Sequence, residues 1–343
     1  LKGGKAGPRN APVMGDILRS GRTMPALSGK TRVCALFGYP VEHSFSPAMH
    51  NAAFAAANLD YVYVAFPVPP KLLPAAVAAI KALDLAGVNV TVPHKEKVLP
   101  LLDRVAPGAR LAGAVNTIVF RHGLLEGHNT DGAGFVRALA EEADFVPRGS
   151  SVLILGAGGA ARAVAVHMAL AGAAHITVAN RTAARAAELA ALLNKHTGAR
   201  AGFLEWPGHF GTGGTAGEPA PAHGVGNRAA LPVAPRSGGE ATLDFCRAVK
   251  EADLIVQTTP VGMFPRVEDC PPFPFLCLRP GQVVADLVYN PPRTLFLARA
   301  AEAGARVCNG LGMLLYQGAL AFELWTGRAA PLEVMRRALP GVG

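Results

Sequence analysis

The sequence predicts an α/β protein folded in two parts with a cleft between them. Three observations carry this. Short apolar strands alternate with alanine-rich helical stretches between residues 32 and 92, as parallel crossover units do. Residues 114–131 then read as a hairpin, so the first half mixes parallel and antiparallel pairing. Residues 151–182 run as buried strand, glycine turn, helix and second strand, a βαβ unit. At 343 residues the chain has room for about two domains.

The first clear strand is RVCALFGY (32–39). Ser46-Pro47 opens a helix, since serine is a good N-cap and proline suits the first turn, where its missing N–H is not needed. YVYVAF (61–66) is a strand, and LLPAAVAAIKAL a helix with Pro74 in its early turns. LAGVNVTV (85–92) is the next strand, and the hairpin turns at His122-Gly123. In the second half, ADLIVQTT (252–259) and QVVADLVY (282–289) are further strands, and LGMLLYQGALAFELWTG (311–327) is a closing helix. Residues 206–241 are rich in Gly, Pro and Ala without apolar periodicity, and read as a loose surface insertion. Residues 1–29 read as a flexible tail, with Met14 and Met24 as candidate starts because the chain begins with Leu1.

Lys and Arg number 33 against 24 Asp and Glu, a formal net charge of +9. Lys2, Lys5, Arg9, Arg19 and Arg22 stand against Asp16 alone near the start, so much of the excess is local. Basic residues are not clustered with aromatics, which argues against nucleic acid. A modest positive balance suits an acidic substrate or a phosphorylated cofactor. Cys34, Cys246, Cys270, Cys277 and Cys308 include no CxxC, and the histidines no HExxH, so neither a disulfide framework nor a metal site is expected. No apolar run approaches the ~18 residues that span a bilayer, and the start lacks the apolar core of a secretory signal. The expectation is a cytoplasmic monomer or homodimer that acts on a small molecule, not on nucleic acid or a membrane.

Gly156-Ala157-Gly158-Gly159-Ala160-Ala161 follows a strand and opens a helix, the setting of a Rossmann-type dinucleotide turn. Gly156 allows the tight turn, Gly158 lets backbone approach a pyrophosphate, and Ala161 is the small residue for close helix–sheet packing. At the tip of the second strand an NAD reader carries an acid for the ribose 2′-hydroxyl. Residues 151–187 contain no acid, and the tip reads Asn180-Arg181-Thr182 with Arg185 one turn on. Guanidinium groups suit a 2′-phosphate, which favours NADP. The alternative is that Thr182 merely caps the helix and both arginines are solvated.

Ser44 and Ser46 stand at an expected helix N-terminus, where free N–H groups and the dipole attract anions, and two hydroxyls there would hold a carboxylate. Lys95 follows the strand end at Pro93, and Asp131-Gly132 is a good turn or N-cap. Asn116 has the look of a turn residue. Gln317 lies on an apolar helix face with Met313, Leu314, Leu320 and Ala321, so it needs a partner. Together with Asn89 and Thr91 these groups suit a ligand with several hydroxyls and a carboxylate. Lys95 can donate or accept a proton, with Asp131 to orient it.

The motifs GYPVEHSFSPAMHN, GVNVTVPHK, GAVNT, GHNTDG, LGAGGAARA, NRTAAR, ADLVYNPPRT and NGLGMLLYQGALAF occur in the order found in shikimate dehydrogenases. From about residue 33 to 327 the chain resembles that family. The resemblance implies reversible NADP-dependent reduction of 3-dehydroshikimate to shikimate, in chorismate and aromatic amino-acid biosynthesis. It implies that Ser44 and Ser46 hold the substrate carboxylate, that Lys95 is the acid/base and Asp131 its partner, and that Asn89, Thr91, Asn116, Tyr289 and Gln317 bind substrate. Leu287 and Gly310 fall on positions lining the nicotinamide. The implied layout is a substrate-binding α/β domain from residues 30–130 and 311–343 and a Rossmann domain from 131–310. Gln257 in QTTPVGM departs from the family, which usually has Asn there, so the contacts of that loop stay open. Rival readings are a quinate/shikimate dehydrogenase, a non-catalytic sensing module that binds NADP or shikimate, and another Rossmann enzyme that shares only the Asn-Arg-Thr turn.

Overall fold

The computed structural model describes residues 27–208 and 238–339; most of the expected tail, with Met14 and Met24, and most of the expected insertion lie outside the described residues. The first sheet is built from β1 (Arg32–Gly38), α1 (Ser46–Ala56), β2 (Tyr61–Pro67), α2 (Leu73–Ala82), β3 (Gly87–Val90), β4 (Arg104–Val105), α3 (Pro107–Ala112), β5 (Thr117–Arg121) and β6 (Leu124–His128). Its strand order is β2-β1-β3-β5-β6-β4. β1 runs parallel to β2 and β3, and β5 runs antiparallel to β3 and β6. The β5–β6 turn holds His122 at φ 53° and Gly123 at φ 75°, the doubly positive geometry that matches strand twist in a two-residue hairpin.

Then α4 (Thr130–Ala143) leads into β7 (Ser151–Leu155), α5 (Gly159–Leu170), β8 (His175–Asn180), α6 (Ala183–His196), β9 (Arg200–Glu205), α7 (Gly238–Glu251), β10 (Leu254–Gln257), β11 (Val283–Asp286), α8 (Leu295–Glu302), β12 (Arg306–Cys308), α9 (Gly310–Thr326) and α10 (Leu332–Arg337). The second sheet is parallel throughout, in the order β12-β11-β10-β7-β8-β9. The chain winds outward from β7 to β9, then returns to the other side of β7. The crevice at that reversal, past the carboxyl ends of the strands, is where open parallel sheets bind ligands. β10 and β11 are buried at every position, as strands covered on both faces must be.

Leu73, Val77 and Ile80, at i, i+4 and i+7, put the apolar face of α2 on one side of the first sheet. The other side meets α1, α9 and α10 through Met49, Phe54, Phe322, Trp325 and Met335. Helices α5 and α6 cover one face of the second sheet, and α7 and α8 the other. α4 and α9 pack on each other and join the halves. Their approach needs Gly134, where an added Cβ would lie 2.5 Å from the Gln317 backbone nitrogen.

The ends of the expected insertion belong to the fold. Trp206 is buried in the same apolar cluster as Phe245, Phe273 and Phe296, and its indole N–H donates to the Pro272 carbonyl at 2.8 Å. α7 begins at Gly238. Composition suggested a loop across 206–241, but a single buried tryptophan and a helix start carry no periodicity to detect.

Candidate active site

One edge of the first sheet gathers the polar residues singled out above. Asn89 lies in β3, Thr91 and Lys95 in the loop behind it, Asn116 just before β5, Asp131 in the first turn of α4 and Gln317 in α9. The loop is pinned where buried His94 meets the Val68 carbonyl through Nε2 at 2.7 Å, and where Val115 N–H donates to the Lys95 carbonyl at 2.8 Å. Lys95 Nζ then reaches Asp131 Oδ2 at 2.7 Å, with side chains 32% and 15% exposed. That is open enough to meet a ligand and closed enough to hold a geometry.

Asn116 ties the cluster together. Its amide N–H2 faces Asp131 Oδ1 and Thr130 Oγ1, both at 2.9 Å, and Gln317 Oε1 at 3.4 Å. Its Oδ1 accepts from Thr130 N–H at 2.7 Å. Asn116 sits in a bend, as its sequence setting suggested, and is a buried hub. Gln317 finds its partners in Asn116 and in the Leu314 carbonyl, to which Nε2 donates at 3.0 Å. Asn89 donates to the Asn116 carbonyl and Thr117 Oγ1, each at 3.1 Å, and accepts from the Tyr63 hydroxyl at 2.8 Å. Burial pushes the Tyr63 phenol well above its usual range, which keeps it a donor.

Two capping expectations are corrected. Helix α1 begins at Ser46 with Phe45 as its N-cap, and Ser44 Oγ accepts from Ser46 N–H at 3.3 Å. Ser44, two residues back, is the side chain placed to reach that amide; Ser46 is already inside the helix. Asp131 does not cap α4: Asn129 does, accepting from Gly132 N–H at 3.1 Å. This leaves the Asp131 carboxylate for Lys95 and Asn116.

Ser44, Ser46, Asn89, Thr91 and Lys95 line a cavity of about 660 Å³ together with Asn116, Asp131 and Gln317. Ala160, Leu287, Tyr289 and Gly310 from the second half close its other side, with Met263 and Met313. Tyr289 reaches Phe45 edge-to-face, ring centroids 6.4 Å apart. Sequence reading missed Tyr63, Thr130 and Met263. A tyrosine inside an alternating strand and a threonine beside an acid carry no signal until the strands are paired.

The glycine turn stands at the end of β7. Gly156 adopts φ +116°, which only glycine tolerates well. An added Cβ at Gly158 would meet nothing within 4 Å, so open space lies before the first turn of α5. Ala161 is fully buried in the helix–sheet core. Ala157 and Gly159 complete the turn. This shape fits a pyrophosphate on a helix N-terminus. At the tip of β8, Asn180 Nδ2 donates to the Thr182 carbonyl at 3.0 Å, while Arg181 and Arg185 are exposed. Thr182 is the N-cap residue of α6 but makes no capping bond with its side chain.

Family models match the chain in three stretches: the shikimate dehydrogenase substrate binding domain over residues 36–118, shikimate / quinate 5-dehydrogenase over 139–201, and the shikimate 5'-dehydrogenase C-terminal domain over 310–339. The chain is 50% identical to the shikimate dehydrogenase (NADP(+)) of Desulforamulus reducens, over 91% of this chain and 96% of that one. Among solved structures it is similar to shikimate 5-dehydrogenase from Listeria monocytogenes in complex with shikimate and NAD, at 35% identity and TM-score 0.78, covering 91% of this chain and 97% of the other. It is also similar to the ligand-free 5-ketofructose reductase of Gluconobacter, at 36% identity and TM-score 0.77, covering 92% and 100%. Family models, relatives and fold agree, and the chain belongs to the shikimate dehydrogenase family.

Proposed function

We propose that the protein reduces 3-dehydroshikimate to shikimate reversibly with NADPH, as a cytoplasmic step of chorismate and aromatic amino-acid biosynthesis. The observation that carries this reading is the Lys95–Asp131 pair, 2.7 Å apart on the wall of a cavity whose other wall comes from the second sheet. NADPH supplies the hydride when bound. Gly156, Ala157, Gly158, Gly159 and Ala160 would hold its pyrophosphate, and Asn180, Arg181, Thr182 and Arg185 its adenosine phosphate. Leu287 and Gly310 would lie along the nicotinamide.

The chain's own residues manage the proton and the pose. Lys95 Nζ delivers a proton to the ketone oxygen during reduction, and takes one from the hydroxyl in the reverse direction. Asp131 holds the ammonium in place and balances its charge. Ser44 and Ser46 receive the substrate carboxylate, while Asn89, Thr91, Asn116, Tyr289 and Gln317 receive its hydroxyls. Of the described residues, 30–130 and 311–339 then form the substrate domain, and 131–208 with 238–310 the cofactor domain. Among the described residues no helix is long and apolar enough to cross a membrane. The working form is a monomer or homodimer with small-molecule partners.

The likeness to 5-ketofructose reductase supports a second reading, reduction of a neutral ketose. Two serines at a helix start speak for an acid, because a ketose would leave that anion site unused. NADP+ reduction by the purified protein with shikimate, quinate and a ketohexose alcohol, each repeated with NAD+, tests both. Turnover confined to shikimate with NADP+ is expected. Preference for the neutral polyol, or no turnover at all, sinks the main reading.

A further inference from the structure

Gln257 and Asp286 end adjacent strands, β10 and β11, and are paired in register at the carboxyl edge of the second sheet. Both are buried, at 0% and 1% exposure. A polar pair in such a place must find partners, and each looks forward into a loop. Gln257 Nε2 donates to the Thr259 carbonyl at 2.9 Å and the Val261 carbonyl at 3.2 Å, and its Oε1 accepts from Thr259 N–H. Asp286 accepts from Val288 N–H at 3.0 Å and from the hydroxyl of buried Thr294 at 2.7 Å. The two side chains meet each other, Gln257 Nε2 to Asp286 Oδ1, at 3.3 Å. Farther out the loops touch again, Phe264 N–H donating to the Asn290 carbonyl at 2.9 Å. One loop brings Met263 to the cavity, and the other brings Leu287 and Tyr289.

We infer that Gln257, bonded to Asp286, is a positioning residue for the reaction: the pair braces the two loops that form the cofactor-side wall, and so sets where the nicotinamide face stands relative to Lys95. Neither side chain is among those lining the cavity, so the pair acts through Met263, Leu287 and Tyr289. The length of glutamine matters here. Its amide spans from Thr259 and Val261 to Asp286, whereas an asparagine, one methylene shorter, cannot keep all of these bonds. Hydride transfer is sensitive to such placement, since a misfit of about 1 Å can cost on the order of a hundredfold in rate.

The inference rests on the proposed reaction. Its test compares wild type, Gln257→Leu, Gln257→Asn, Thr294→Val and the Gln257→Leu/Thr294→Val double variant. The readouts are kcat, KM for shikimate, melting temperature, and the isotope effect on kcat with shikimate deuterated at the oxidised carbon. A brace predicts that Gln257→Leu lowers kcat by about tenfold or more with a larger isotope effect. KM stays within about threefold, Gln257→Asn falls between, and the double variant is little worse than the poorer single one. Unchanged kcat in folded Gln257→Leu overturns the inference. So does a loss of activity that merely follows loss of folded protein with no change in isotope effect. If Gln257→Leu does not fold, Thr294→Val decides by the same readouts. Wild type is the control: if it does not turn over shikimate, the functional reading falls and this one with it, whereas active wild type with unaffected variants removes the brace alone.

Discussion

The Tyr63 hydroxyl donates to Asn89 Oδ1 at 2.8 Å, between two residues buried at 2% and 5% exposure. Both amide hydrogens of Asn89 are committed to Asn116 and Thr117. Toward the cavity Asn89 therefore offers only the remaining lone pair of Oδ1, which fits the proposed role of accepting from a substrate hydroxyl. Tyr63→Phe removes the donor that fixes this amide. The expected result is a several-fold rise in KM for shikimate, with a stability loss of about 1 kcal/mol. Steady-state kinetics beside urea unfolding measures both, and an unchanged KM would show that Asn89 holds its orientation unaided.

Lys95→Ala removes the proposed proton donor and leaves the glycine turn untouched. We expect kcat to fall about 10²–10⁴-fold, the usual worth of general acid–base catalysis. The Kd for NADPH, read by fluorescence titration, should stay within about twofold, since the proposed pyrophosphate and adenosine-phosphate contacts lie in the glycine turn and at the β8 tip, away from Lys95. Wild-type kcat in the variant would remove Lys95 from the chemistry.

What the sequence made legible was local. The strand–glycine–helix run at 151–170 needs only neighbours to explain it, and the His122-Gly123 turn needs only its own dihedrals. Gln317 was marked as needing a partner, but Asn116 lies 201 residues away and could not be named. Ser46 was misread as a cap because serine is a good cap in isolation, and for Asp131 a turn or cap stood open beside its pairing with Lys95. The structure instead uses Asn129 for α4 and leaves the acid for a lysine 36 residues back. Asp286 gave no signal, since one acid ending an apolar strand becomes informative only when Thr294 and Gln257 are seen around it.

Arg181 and Arg185 are both exposed at the β8 tip, with no acid before them in the βαβ unit. Replacing both by alanine should raise KM for NADPH at least tenfold and change KM for NADH by less than about threefold. A charge-assisted hydrogen bond contributes roughly 1.5–3 kcal/mol, and only NADPH has the phosphate to lose it. Equal losses with the two cofactors would assign the arginines to the fold.

Two buried groups set opposing pH dependences. Burial raises the Asp286 carboxyl from 3.8 to about 6, against the bonds from Val288 and Thr294 that pull it down; Cys270 is a titratable neighbour that faces it. A raised carboxylate binds its proton more tightly in the folded state. Its stabilisation is therefore full below pH 3.8 and is lost as pH rises through about 6, by about 3 kcal/mol in all. His50 runs the other way. Its ring stacks on Tyr63 with centroids 4.6 Å apart, neither nitrogen has a partner, and burial lowers its pKa from 6.5 to about 3. Its contribution is present above pH 6.5 and is lost as pH falls toward 3, by about 5 kcal/mol. Between pH 4 and 6 the two slopes largely offset each other. Asp286→Asn removes one of them, and its amide can still donate to Thr294 Oγ1. Relative to wild type the variant should gain about 2 kcal/mol from pH 4 to pH 7, so its own stability should fall more steeply in acid. His50→Phe, which keeps an aromatic ring against Tyr63, should flatten the acid side instead. Urea unfolding at pH 4, 5, 6 and 7 reads all three proteins, and parallel curves for wild type and Asp286→Asn would mean that Asp286 is already ionised throughout that range.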